Sequence, residues 1–136
     1  MPLEIKKGIK EMVAEANAAI ETVSVEQARA LHGTAGVTFI DLRDPRELWR
    51  DGGVPGAVNV TRGMLEFWVD PESPYYKDVF APGKTFVFYC QSGWRSALAT
   101  RTVQEMGLPN VCHVGGGYRA WKDAGAETEA QPPRGA

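Results

Sequence analysis

A chain of 136 residues with 43% hydrophobic content is the length of one domain and can bury a core without disulfide or metal staples. Its 24% of charged residues and formal net charge of −2 exclude the strongly basic balance of a nucleic-acid binder and the composition of a disordered chain. No apolar run approaches the roughly 18–20 residues of a membrane span, and Met1 to Gly8 lacks the apolar centre of a signal peptide, so no membrane partner and a cytoplasmic location are expected.

Residues 3 to 20 carry Leu3, Ile5, Ile9, Met12, Val13, Ala16 and Ile20 at spacings of three and four, which predicts an amphipathic N-terminal helix with a fraying first turn at Gly8. Its stripe packs on the domain's own sheet or helices, or makes a homodimer contact; monomer and homodimer both remain open. Glu21-Thr22-Val23 is β-prone, and Ser24 to Gln27 has the form of a capping box that starts a second helix running to about Leu31. Val37 to Leu42 reads as a strand covered on both faces, interrupted in character by Asp41. Asp44, Pro45 and Glu47 give three helix-start signals in succession, and the helix ends before Gly52-Gly53.

Ala57 to Val60 is a further short strand, after which Thr61 is the expected cap of a helical stretch with Met64, Leu65, Phe67 and Trp68. Asp70 to Gly83 mixes three prolines with Tyr75, Tyr76 and Phe80, an irregular loop suited to a pocket wall. Thr85 to Tyr89 is the most strand-like segment, and Ser96 to Met106 the helix that it feeds. Val111 to Val114 is a last strand, Tyr118 to Lys122 a last helix, and 127–136 is expected to form a flexible tail. The alternation of strands and helices predicts an α/β fold with a parallel sheet and helices on both faces, whose ligand crevice lies at the carboxyl ends of the strands.

Cys90 stands at such an end, where a strand turns into a helix through Cys90-Gln91-Ser92-Gly93-Trp94-Arg95-Ser96. Successive backbone N–H groups and a helix N-terminus at one point favour an anion, and the Cys90 thiolate would be that anion. Asp41, inside a buried strand, needs a partner, and Arg43 is the nearest in sequence. Glu47 reads as a capping acid rather than a catalyst. Trp94 could contact a substrate or pack over the loop, and Trp68, Tyr75 and Tyr118 are read as core aromatics more readily than as lining of the mouth. His32, His113 and the two cysteines lack metal-ligand spacing, so neither a metal nor another cofactor is implied; Cys112 reads as a packed small hydrophobe.

Three segments together resemble a single-domain rhodanese. They are Ile40 to Arg43 through Glu47 to Val54-Pro55-Gly56-Ala57 and Asn59, then Cys90 to Ser96, then Gly115-Gly116-Gly117-Tyr118-Arg119-Ala120-Trp121. The resemblance implies a rhodanese-like three-layer fold with a five-stranded parallel sheet over 21–126, leaving 1–20 as an N-terminal helix outside it. It also implies a sulfurtransferase that moves a sulfane sulfur from a donor such as thiosulfate to a thiol or cyanide acceptor through a persulfide on Cys90. Gln91, Ser92, Gly93, Trp94, Arg95 and Ser96 would form the anion-binding loop, with Asp41 and Arg43 as support. The alternatives are a sulfur-carrier or interaction module that exchanges sulfur with a protein donor or acceptor, and a cysteine-dependent phosphatase or arsenate reductase. Loop length speaks against the last: relatives that act on such oxyanions use a seven-residue loop, and Cys90 to Arg95 is six residues. One departure from the family pattern is Gly53, where many members have histidine in the G-H-I-P-G-A portion; another is a loop whose one positive charge is Arg95.

Overall fold

Side chains of the central strand alternate between two cores, and this sets the architecture. A computed structural model of the protein describes residues 1–133. Five strands, β1 (Glu21–Val23), β2 (Val37–Asp41), β3 (Val58–Asn59), β4 (Thr85–Tyr89) and β5 (Val111–Val114), form one sheet in the order β1-β5-β4-β2-β3. Every pairing between them is parallel. Six α-helices accompany them: α1 (Ile9–Ala19), α2 (Val25–Leu31), α3 (Pro45–Asp51), α4 (Leu65–Val69), α5 (Trp94–Met106) and α6 (Gly117–Asp123).

On β4, Val87 and Tyr89 join a core with Phe39, Cys112, Val114, Tyr118 and Trp121, whereas Phe86 and Phe88 join a second core with Ile40, Leu65, Ala99 and Val103. A strand with period two therefore feeds two separate cores, as a sheet buried on both faces requires. One core is roofed by α2 and α6 and the other by α4 and α5, giving the three layers that the alternation of elements predicts. The edge ring of His32 packs between Phe39 and Trp121 at centroid distances of 5.3 and 5.7 Å.

Side-chain capping explains where two of the helices start. Ser24 with Gln27 and Asp44 with Glu47 form reciprocal capping boxes at α2 and α3, and Pro45 occupies the first helical position of α3. Three boundaries differ from expectation. Helix α1 begins at Ile9 rather than residue 3, because Gly8 becomes its cap and the preceding residues stay exposed. Thr61 makes no side-chain cap; the chain enters α4 through a 3-10 turn over Arg62–Met64. Helix α5 starts at Trp94, two residues earlier than Ser96, because Gly93 takes a left-handed φ of 102° and lets the helix follow the turn directly.

Helix α1 packs on the domain itself: Val13 and Ala16 meet Ala97, with Ile20 and Leu98 closing the contact. Leu3, Ile5, Ile9 and Met12 of the same stripe remain exposed. The described part of the stretch expected to form a tail makes backbone contacts with the domain. Glu129 pairs with Gly53 in an antiparallel bridge whose two backbone bonds measure 3.0 and 2.9 Å, and Trp121 Nε1 donates to the Glu127 carbonyl at 2.7 Å. These backbone partners hold a stretch that has little to bury; residues 134–136 lie outside the described part. Among the described residues no helix is long and apolar enough to cross a membrane.

Candidate active site

Cys90 follows the last residue of β4, the middle strand of the sheet, and is 1% exposed. Its Sγ accepts N–H groups from Gly93 at 3.2 Å and Ser96 at 3.3 Å. Ser96 is the third residue of α5, so both donors belong to the helix end whose amides have no partner within the helix. No side chain caps α5 in the ordinary way; the sulfur does so. A helix N-terminus with two aligned N–H donors favours a negative charge on the atom that they face.

The carbonyl side of the loop is held by another helix. Tyr118 N–H donates to the Cys90 carbonyl at 2.8 Å and Arg119 N–H to the Gln91 carbonyl at 3.1 Å, so the free amides of the first turn of α6 bind the loop's oxygens. A Cβ on Gly117, whose φ is 62°, would stand 2.5 Å from the Cys90 carbonyl oxygen and 2.8 Å from Gln91 C and O. Only a residue without a side chain permits this approach, which accounts for Gly117 at the start of α6.

Asp41 and Arg43 meet as expected, in the fully buried space beside the loop. Arg43 Nε donates to Asp41 Oδ1 at 3.0 Å and Arg43 Nη2 to Oδ2 at 2.7 Å. Tyr89 Oη adds a bond to Asp41 Oδ2 at 2.9 Å, and burial together with the adjacent carboxylate raises the tyrosine well above its ordinary range. Arg43 also donates to the Gly52 carbonyl at 2.8 Å and to Gln91 Oε1 at 3.2 Å, while its guanidinium lies 4.3 Å from the Tyr118 ring centroid. Through Gln91 the buried ion pair touches the loop itself, and through Tyr118 it touches the helix that holds the loop.

Arg95 is engaged by Glu47. Its terminal nitrogens donate to the two carboxylate oxygens of Glu47 at 2.8 and 2.9 Å. Glu47 thus has two tasks, since its Oε2 also accepts the Asp44 N–H of the α3 capping box at 2.9 Å. The bond from Arg95 holds the Glu47 carboxyl below the usual carboxylate range against the opposing effect of burial. Trp94, at the first position of α5, is 45% exposed. Of the aromatics weighed for the mouth, Tyr118 is core and bonds the Asp51 carbonyl at 2.9 Å, Tyr75 is exposed against Phe67, and Trp68 lies under Lys77. The 70–83 loop does wall a groove of about 530 Å³, with Phe86, Met106 and Leu108, but at the end of β4 opposite to Cys90.

The two cysteines face different cores. Cys112 packs with Val87 and Trp121, and burial pushes its thiol up to about 11. Gly53, at the position of the family's histidine, has its backbone paired with Glu129, and a Cβ there would be 3.5 Å from Gln131 Cγ. The tail thereby fills ground beside the turn. Sequence reasoning missed His113. Its Nδ1 is 2.9 Å from Ser96 Oγ, which in turn is 3.5 Å from Cys90 Sγ. The signal available was the strand period: His113 alternates with Cys112 and Val114 and so faces the same side as Phe88, its partner on β4.

A family model, the rhodanese-like domain, matches residues 24–124. The chain belongs to the rhodanese-like family. Thiosulfate sulfurtransferase 18 of Arabidopsis thaliana is 31% identical over 114 residues, covering 76% of this chain and 79% of that protein. An uncharacterised protein of Synechocystis is 30% identical over 107 residues, 79% of this chain, and the chain spans 55% of that relative's length. A solved structure from Rhodopseudomonas palustris, of a protein of unknown function described as a possible tyrosine phosphatase, superposes with a TM-score of 0.92. It is 55% identical and covers 95% of this chain and 99% of its own. The rhodanese-like fold and family expected from the three segments are thus those of the chain. Residues 1–23, including α1, precede the matched stretch.

Proposed function

We propose that the protein is a sulfurtransferase that carries a sulfane sulfur as a persulfide on Cys90. The observation that carries the reading is the sulfur of Cys90 seated on the N-terminus of α5 and bonded by the Gly93 and Ser96 amides. In the first half-reaction the Cys90 thiolate attacks the outer sulfur of thiosulfate. A bond forms between Sγ and that sulfur, the donor's S–S bond breaks, and sulfite leaves with the electron pair. In the second, cyanide or an acceptor thiolate attacks the outer persulfide sulfur and Cys90 leaves as thiolate. No separate general base is needed for either step, because both attacking and leaving groups are anions that the loop accommodates. The loop amides bind the anionic donor, Arg95 is held beside them by Glu47, and the Asp41–Arg43 pair keeps Gln91 and the loop in position.

Incubation with thiosulfate followed by intact-mass measurement tests the reading. One added sulfur on the wild-type chain and none on Cys90→Ser is the expected result; no adduct on either, from thiosulfate or from a persulfide-bearing protein donor, overturns it. Formation with the protein donor alone supports the sulfur-carrier form of the same chemistry.

A second reading, a cysteine-dependent phosphatase, is favoured by the description of the 55% identical Rhodopseudomonas palustris protein. Two features oppose it: four residues rather than five separate Cys90 from Arg95, and both Arg95 terminal nitrogens are engaged by Glu47 instead of being presented to phosphate oxygens. Cys90-dependent hydrolysis of an aryl phosphate, with no persulfide formed from any donor, would decide for the phosphatase.

A further inference from the structure

Behind the nucleophile lies a continuous chain of neutral polar groups. Cys90 Sγ and Ser96 Oγ are 3.5 Å apart, Ser96 Oγ and His113 Nδ1 2.9 Å, and His113 Nε2 is 3.0 Å from Thr22 Oγ1 and 3.1 Å from Asn17 Oδ1. Cys90, Ser96 and His113 are each no more than 2% exposed, whereas Thr22 and Asn17 are exposed. Thr22 is the β1 residue opposite His113 in register, and Asn17 comes from α1. Both outer members precede the stretch that the family model matches.

We propose that this chain is a proton relay that links the charge on the buried Cys90 sulfur to the tautomer of His113 and lets the thiol exchange its proton with solvent at Thr22 and Asn17. The proposal rests on Cys90 being the working nucleophile and adds how it is ionised.

Donor and acceptor accounting allows two complete arrangements. With Cys90 a thiol, Sγ–H points to Ser96 Oγ, the Ser96 hydroxyl donates to His113 Nδ1, and His113 Nε2–H donates to Asn17 Oδ1. With Cys90 a thiolate, the Ser96 hydroxyl donates to Sγ, His113 Nδ1–H donates to Ser96 Oγ, and the Thr22 hydroxyl donates to Nε2. Passing from the first to the second moves the Sγ proton to Ser96, the Ser96 proton to Nδ1 and the Nε2 proton to solvent water, with one proton released in total. The thiolate gains a third donor beside the two amides, and no buried group is left unpaired in either state. His113 remains neutral throughout, consistent with burial lowering it to about 4.

The charged groups on the surrounding elements do not replace this route. On α5 and α3, Arg95 is paired with Glu47; beside β2, Arg43 is paired with Asp41; at the outer end of α5, Arg101 bonds Glu105. Lys10, Glu11 and Glu15 on α1, Glu21 on β1 and Arg119 on α6 are exposed. Burial lowers His113, and its ring nitrogens meet Ser96, Thr22 and Asn17. His113 is accordingly a positioning residue that works through Ser96.

The test is 15N NMR of the imidazole nitrogens in the full chain, followed across pH together with the rate of Cys90 alkylation by iodoacetamide. The expected result is the Nε2–H tautomer while Cys90 is a thiol, the Nδ1–H tautomer once it is a thiolate, and an unchanging tautomer over the same range in Cys90→Ser. In His113→Phe, alkylation at neutral pH should slow by about tenfold, the worth of one hydrogen bond to a charged group, with partial recovery in His113→Gln. An identical His113 tautomer in both charge states of wild-type Cys90 overturns the relay. So does an unaltered alkylation profile in folded His113→Phe. Persulfide formation is read separately by mass, so failure of the relay is distinguishable from failure of the sulfurtransferase reading.

Discussion

Two buried polar networks flank the same loop and are built on opposite principles. On the side of β4 that Tyr89 faces, Asp41 and Arg43 make a charged, bidentate pair locked by Tyr89, Gly52 and Gln91. On the side that Phe88 faces, Ser96 and His113 form a neutral chain in which every member can both give and take a proton. A guanidinium that cannot lose its proton fixes one arrangement and makes a rigid brace. Hydroxyl and imidazole groups permit more than one arrangement at similar energy, which suits the side that must follow the sulfur's charge. Stiffness and adaptability are thus assigned to different faces of one sheet.

The sharpest way to break this contrast is Asp41→Ala. It leaves Arg43 buried without its carboxylate and should cost about 3–5 kcal/mol in urea unfolding, whereas Ser96→Ala, which removes a neutral hydroxyl, should cost about 1–2 kcal/mol. Equal losses would mean that the two networks are energetically alike. Next in size is Gly117→Ala. Its Cβ would collide with the Cys90 carbonyl in a left-handed backbone, so the loop or α6 must shift. We expect a loss of about 1–3 kcal/mol in thermal or urea unfolding, and a persulfide-forming rate that falls further than stability does.

A pH dependence separates the networks without mutation at the brace. His113 is lowered by burial to about 4 from an ordinary 6.5, so between those values the unfolded chain binds the extra proton. Its contribution to stability is therefore complete above about 6.5 and declines as the pH falls toward 4. Denaturation at a series of pH values should show this slope in wild type and a shallower one in His113→Phe. Smallest is Glu47→Gln, which weakens a pair whose arginine is 41% exposed. A stability loss under about 1 kcal/mol is expected. The carboxyl of Glu47 is held below its usual range, so the wild-type pair persists at ordinary pH and loosens as the pH drops through that lowered value.

Much of the fold could be read from local chemistry because local chemistry decides it. The capping boxes at Ser24 and Asp44 announce α2 and α3, and the apolar run Thr85 to Tyr89 announces a strand. The partnership of Asp41 with Arg43 follows from the cost of burying either alone. What escaped depends on distant partners. Thr61 has the right chemistry for a cap, yet the chain passes through a 3-10 turn there. His113 looked like an unattached histidine because Ser96 and Asn17 approach it from other parts of the chain. Arg95 read as an anion ligand without its Glu47 partner, since nothing between those positions signals that α3 and α5 meet at their ends.

The bridge between Gly53 and Glu129 has a consequence for the order of events during synthesis. A chain emerges N-terminus first, so β2, the brace and the turn at Gly53 exist long before their partner does. Until Glu127 and Glu129 arrive, the Trp121 indole N–H lacks its carbonyl and the Gly53 backbone lacks its strand. The seam beside Arg43 closes only when residues 127–129 fold back over it.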